Sequence, residues 1–161
     1  MSDRWPKGLI VRPLSLDDAR QIARWRYDGP WQVYNPRPKD GLLDPDQGYW
    51  AVAGIGGGRL VGFCCAGAEA RVPGLAEEPG LLDVGVGMDP AWVGGGHGAA
   101  FGQAVVNHFR REHAIEGLRA VVQSWNQRSL RLTRRLGFVE VGRHVCTQDG
   151  RVVEYVVVVA R

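Results

Sequence analysis

Glycine occupies positions 94, 95, 96 and 98, and the chain then runs straight into the helical pattern AAFGQAVVNHFRRE. Without Cβ atoms these positions leave backbone N–H groups uncovered. A helix starting just behind them adds unpaired donors and the positive end of its dipole. Gly94, Gly95, Gly96, His97, Gly98 and Ala99 therefore read as a seat for an anion such as a phosphate. A plain glycine-rich turn is the competing reading. His97 lies inside the seat, where a protonated ring would favour negative charge and a neutral ring would act as a spacer.

Further groups that could do chemistry flank this seat in sequence. In the strand-like segment LLDVGVGM, Leu82, Val84, Val86 and Met88 alternate with Asp83, Gly85 and Gly87. The glycine face leaves room for something to lie against it. Asp83 shares that face and is a candidate base; a carboxylate facing solvent at a strand start is the alternative. Downstream, Asn126, Ser129 and Thr133 fall on one stripe of a helix. Asn126 suits both a helix cap and a bond to an amide. Arg128, Arg131 and Arg135 form a separate basic stripe, either solvated or set against a phosphate. Trp25, Tyr27, Trp31 and Tyr34 are dense for so short a stretch and read as lining a pocket as readily as core. Glu69, Glu77 and Glu78 suit a solvated loop or the attraction of a cationic amine.

Regular elements must hold these groups. Ile10–Pro13 begins a strand, and Ser15 with Asp18 predicts a capping box ahead of a helix that runs out at Asp28-Gly29-Pro30. Residues 31–43 read as a broken helix and loop. Tyr49–Ile55 and Arg59–Ala66 flank three glycines as a hairpin, and residues 67–80 as a surface excursion. Strand 81–88, helix 96–112, strand 118–123, helix 126–136 and a terminal hairpin of strands 138–147 and 152–159 complete the pattern. Mixed connections around a central sheet with helices on both faces predict a three-layer α/β fold.

At 161 residues the chain suits a single domain spanning 1–161, and 45% apolar with 23% charged residues is ordinary for a globular protein. A net charge of +3 is too small to imply nucleic acid. There is no 18-residue apolar run, and MSDRWPKG lacks the apolar core of a signal peptide. These features predict a cytoplasmic chain without membrane attachment. Cys64, Cys65 and Cys146 read as reduced thiols mostly buried in strands, and no Cys/His/Asp cluster has metal spacing.

Two segments carry a family resemblance. Val93–Gly98 fits the motif Gln/Arg-x-x-Gly-x-Gly/Ala with Gly96 and Gly98 at its small positions, and Val93 replacing the polar first residue. Asn126, Ser129, Gly137 and Phe138 fit Asn-x-x-Ser-x-x-x-x-x-x-x-Gly-Phe. Both motifs in order resemble the Gcn5-related N-acetyltransferase (GNAT) superfamily, and within it the branch that acetylates ribosomal-protein N-termini. The resemblance implies an α-β-α sandwich whose two central parallel strands, here 81–88 and 118–123, splay apart. It implies acetyl-CoA as the acyl donor, with its pyrophosphate on Gly94–Ala99 and its pantetheine arm along the backbone of Val86 and Met88. Asn126, Ser129, Thr133 and Arg128 would add side-chain contacts.

For catalysis, many relatives carry a Tyr where Thr133 stands, so the resemblance passes the role of proton donor to Ser129. Asp83 remains the candidate base. Trp25, Tyr27, Trp31 and Tyr34 would contact the amine. The expected acceptor is a protein or peptide N-terminal α-amine, with a small-molecule amine (polyamine or aminoglycoside) as the alternative. A non-catalytic acyl-CoA-binding module is a third reading, and the chain would act as a monomer or homodimer.

Overall fold

The computed structural model describes residues 4–161. The fold is α/β: strands β1 (Leu9–Pro13), β2 (Tyr49–Gly54), β3 (Leu60–Ala66), β4 (Leu81–Met88), β5 (Gly117–Gln123), β6 (Val139–Gln148) and β7 (Arg151–Ala160), with helices α1 (Leu16–Ala23), α2 (Gly98–Glu112) and α3 (Gln127–Arg135). The strands form one mixed sheet in the order β1-β2-β3-β4-β5-β7-β6. Only β4 and β5 are shown running parallel; β1–β2, β5–β7 and β6–β7 are antiparallel. Residues 31–43 form short 3-10 turns at Gly29–Tyr34 and Pro38–Asp40, as the prolines dictate.

Within this sheet the chain forms two compact units. One takes residues up to Cys64 and Val86–Ala104; the other takes Cys65–Gly85 and Val105–Arg161. In the first, α1 begins with the expected capping box. The Asp18 N–H donates to Ser15 Oγ at 3.0 Å, and the Ser15 N–H donates to Asp18 Oδ2 at 2.8 Å. Burial works against the Asp18 carboxylate, but Arg12 at 2.6 Å and the two Ser15 bonds outweigh it and hold its pKa below the usual range. Leu14, Ala19, Ile22, Ala51 and Leu60 pack as the core of this unit, and Trp25, Tyr49 and Phe63 close over it.

Two expectations about β4 need correction here. The face over Gly87 is not open: a Cβ added there would run into the Phe63 ring. Over Gly85, an added Cβ would lie 3.2 Å from Cys65 Sγ. The glycines therefore admit neighbouring side chains of β3, and the room they leave is already filled by protein.

The second unit is organised around Asp83, which is 3% exposed. Arg119 Nε donates to its Oδ1 at 2.6 Å, and Arg71 Nη1 donates to Oδ2 at 2.9 Å. Arg119 Nη2 also reaches the Ala76 carbonyl at 2.7 Å, and Nη1 lies 3.7 Å from Glu78. The hydrogen bond to Asp83 raises the Arg119 pKa further above its ordinary value. This network pins residues 71–78 to the sheet. Tyr155–Ala160 of β7, paired with β5 on one side and β6 on the other, supplies a continuous buried run beside Phe109 and Leu118. Cys64 and Cys65 are buried, as expected, and Cys146 is half-buried. Burial pushes the Cys65 thiol up to about 12.

Asp83→Asn keeps the shape of the side chain but strands a buried guanidinium. It should lower stability by about 3 kcal/mol in urea unfolding, in the range for breaking one side of a buried pair. A loss under about 1 kcal/mol would show that Arg71 and Arg119 find other partners.

Candidate functional site

The glycine turn lies in the first unit. Gly94 and Gly96 take φ of +82° and +84°, conformations that residues with a Cβ adopt only under strain. At Gly96 an added Cβ would meet nothing within 4 Å, so the turn presents backbone to open space. Helix α2 follows at Gly98, with the Phe101 N–H donating to the His97 carbonyl at 3.1 Å as its first turn closes. The N–H groups of Gly98, Ala99 and Ala100 thus have no partner within the helix. The turn and the helix start together leave backbone N–H groups at the place where an anion seat is expected from the sequence.

His97 is held by aromatic rings. It stacks on Trp5 with centroids 4.4 Å apart and planes 6° apart, and meets the edge of buried Trp92 at 5.6 Å. The Arg59 guanidinium lies over Trp92 at 5.3 Å. These packing partners went unnoticed in the sequence. Trp92 stood inside the glycine segment and could have been noted; nothing signalled Trp5 or Arg59.

The backbone of β4 explains which groups face outward from this unit. A residue's N–H and C=O leave a strand on the same edge, and successive residues alternate. The Asp89 N–H donates to the Val61 carbonyl at 2.9 Å, so Asp89 and Gly87 face β3. Val86 and Met88 therefore direct their backbone groups to the other edge. The register of β4 with β5 runs only from Leu81↔Gly117 to Asp83↔Arg119 and does not extend to Val86 or Met88.

The four aromatic residues expected to contact an acceptor divide. Trp25 packs on the core and stands 6.2 Å from the Phe63 ring. Trp31 is half-buried and Tyr34 exposed on the Gly29–Tyr34 turn. Tyr27 reaches β4: its hydroxyl donates to the Met88 carbonyl at 2.5 Å, and its N–H donates to Asn35 Oδ1 at 2.6 Å. Burial, reinforced by Asp89, raises the Tyr27 phenol pKa well above normal, so it stays protonated. The adjacent cleft of about 360 Å³ is lined instead by Ala23, Arg26, Pro36, Arg37, Pro38 and their neighbours.

The second unit carries the other expected residues. Asn126 is buried and caps α3, its Oδ1 accepting from the Ser129 N–H at 3.2 Å. Thr133 donates its hydroxyl to the Leu130 carbonyl of its own helix at 2.9 Å. Ser129 is half-buried, and Arg128, Arg131 and Arg135 are exposed. Asp83 has both carboxylate oxygens in ion pairs with guanidinium groups, those of Arg71 and Arg119. Among the described residues no group of three metal-ligating side chains occurs.

A family model described as an acetyltransferase (GNAT) domain matches residues 8–139. A GNAT-family acetyltransferase from Bacillus anthracis superposes with a TM-score of 0.69 at 15% identity, covering 96% of this chain and 95% of that one. A spermidine N-acetyltransferase chimera from Vibrio cholerae and hSSAT gives 0.67 at 16% identity, covering 96% and 95%. AAC(6')-Ib in complex with ribostamycin and coenzyme A gives 0.68 at 16% identity, covering 94% and 93%. At these identities the structural likeness speaks for the fold. No curated protein matched the chain by sequence.

The cap geometry sets an expectation for stability. Asn126→Ala should cost about 1 kcal/mol in urea unfolding, the usual value of a lost N-cap. Thr133→Val removes one local bond and should stay within about 0.5 kcal/mol. Equal stability of Asn126→Ala and the parent chain would remove capping as the job of this side chain.

Proposed function

We propose, for a chain that belongs to the GNAT acetyltransferase family, that it moves an acetyl group from acetyl-CoA to a primary amine. The observation that carries this reading is the left-handed glycine turn running into α2, in the same unit as Val86 and Met88, whose backbone groups leave β4 on the edge away from β3. A pyrophosphate needs several convergent N–H donors without side chains in the way, and Gly94–Ala99 fit that need. Val86 and Met88 would hold the amide-bearing arm as a strand edge holds a peptide. Asn126 and Ser129 enter the proposal through their sequence motif, and Thr133 and Arg128 through their places on the same helix. The match to residues 8–139 draws on both units, which supports reading the chain as one acetyltransferase domain.

Acetyl-CoA, when bound, supplies an acyl group already activated as a thioester. The protein's part is to seat the anion, present a backbone donor to the acyl oxygen and handle two protons. We assign Asp83 a structural role, since its carboxylate serves Arg71 and Arg119. The amine then arrives neutral or passes its proton to water. Thr133 spends its hydroxyl on Leu130, which leaves Ser129 as the motif residue able to donate to the sulfur. Without a strong base the site favours an amine of low pKa. An α-amino group near pKa 8 is roughly 10% neutral at pH 7, whereas a lysine amine is far below 1%.

The acceptor proposed is therefore a peptide N-terminus, as in the ribosomal-protein branch. A small-molecule amine is the second reading, favoured by the likeness to a spermidine acetyltransferase and to AAC(6')-Ib. No described helix is long and apolar enough to cross a membrane, in keeping with a proposed cytoplasmic setting. Thiol release from acetyl-CoA with peptides, spermidine and ribostamycin separates these acceptors; release with none would favour a binding module.

Gly96→Asn tests the seat directly, because Asn tolerates a positive φ while placing a side chain where Gly96 has none. Acetyl-CoA affinity by calorimetry should fall at least tenfold, about 1.4 kcal/mol. Gly56→Asn, at φ +77° and equally open, is the control for backbone strain. Unchanged affinity in a folded Gly96→Asn variant would move the anion elsewhere.

A further inference from the structure

Tyr27 makes a contact that its expected role as a pocket wall does not explain. Its hydroxyl crosses from the segment after α1 to the carbonyl of Met88, a separation of 61 residues. Met88 is one of the residues whose backbone groups point to the β4 edge away from β3, and the β5 register stops before reaching it. A bare strand edge offers a donor and an acceptor side by side at each outward residue. At Met88 the acceptor is engaged by the Tyr27 hydroxyl, which shifts the balance of that residue toward its N–H donor.

That difference has a chemical consequence. An acyl oxygen gathers negative charge as an amine attacks, and it is stabilised by donors and repelled by a nearby carbonyl oxygen. A free Met88 carbonyl would compete for the amine or ammonium protons and turn a lone pair toward the acyl oxygen. A phenol donating to that carbonyl takes up one of its two lone pairs and draws electron density from the other, which weakens both effects. It also polarises the peptide that ends in the Asp89 N–H, which is itself bonded to Val61. The phenol is fixed from its own side, because the Tyr27 N–H is held by Asn35 at the end of the Gly29–Tyr34 turn. The donor therefore does not swing with solvent, and its raised pKa keeps the proton in place.

We propose that Tyr27 is a positioning residue for acyl transfer: its hydroxyl engages the Met88 carbonyl, so that this point on the β4 edge acts chiefly as a donor and receives the acyl oxygen. The proposal rests on the reading that the acyl group of acetyl-CoA lies along Val86 and Met88. Tyr27 acts through Met88 and touches no reacting atom.

The test is the infrared stretch of the thioester carbonyl in acetyl-CoA carrying ¹³C at the acetyl carbonyl, bound to the full chain and to Tyr27→Phe. Binding to the parent chain should move the stretch to lower frequency than in solution. In Tyr27→Phe at least half of that displacement should vanish, while acetyl-CoA affinity stays within about threefold. Turnover, read as thiol release with a peptide acceptor, should lose at least tenfold in kcat with little change in the KM for acetyl-CoA. Unchanged frequency and kcat in Tyr27→Phe overturn the role of Tyr27 and leave the donor-binding reading intact. Failure of the parent chain to bind acetyl-CoA overturns both. If Tyr27→Phe does not fold, 3-fluorotyrosine at position 27 keeps the hydroxyl and strengthens it as a donor; the carbonyl must then shift further in the same direction, and no shift overturns the proposal.

Discussion

The pairing of Asp83 with Arg119 sits where the two parallel strands of the sheet last share a register. Cα partners in a parallel pair send their side chains to the same face, so these two residues meet without any rearrangement. Each is nearly sealed from water, and each has a second partner, Arg71 for the carboxylate and the Ala76 carbonyl for the guanidinium. A buried charge so placed must be matched in full or it costs several kcal/mol. The arrangement therefore fixes three things at once: the end of the β4–β5 ladder, the path of the 67–80 excursion, and the identity of the residue at position 83.

Beyond that point β4 changes character. Gly85 and Gly87 let β3 side chains close over one face, and Val86 and Met88 keep their outward backbone groups off the β5 register. The strand thus serves as a packed wall on one face and a hydrogen-bonding rail along one edge. The rail leads through Asp89, which caps a short turn at Pro90–Trp92, into the glycines and α2. The glycine turn and this edge belong to one continuous run of chain, which keeps their spacing independent of loops elsewhere.

Much of this was legible beforehand, because period and punctuation are local properties. Strand alternation, the Ser15–Asp18 box, the hairpin glycines and the α3 stop at Gly137 each read correctly from a few neighbouring residues. What the sequence concealed was which residues meet across strands. Asp83 looked like a lone carboxylate because Arg71 and Arg119 are 12 and 36 residues away. Glycine at 87 looked like space because the ring that fills it belongs to β3. Trp25 shared an aromatic cluster with Tyr27, yet one packs on the core and the other reaches β4, a division that side-chain direction decides and composition does not. Asn126 read two ways, and the cap is the role its geometry displays.

The place of β7 in the sheet has a bearing on how the chain is born. β7 is the last strand to be made, yet it lies between two strands made before it, and its residues 155–160 are all buried. The first unit has all its residues by Ala104, whereas the second lacks a central strand until Ala160. During synthesis β5 must wait with an open edge until β7 has followed it, and the buried face of the second unit stays wet until then. Pairing Leu118 with Ala160 closes a loop of some forty residues, a slow event compared with forming the terminal hairpin. The hairpin is therefore the natural vehicle, forming first and then docking as a unit, so that folding of this half follows the order in which its strands appear.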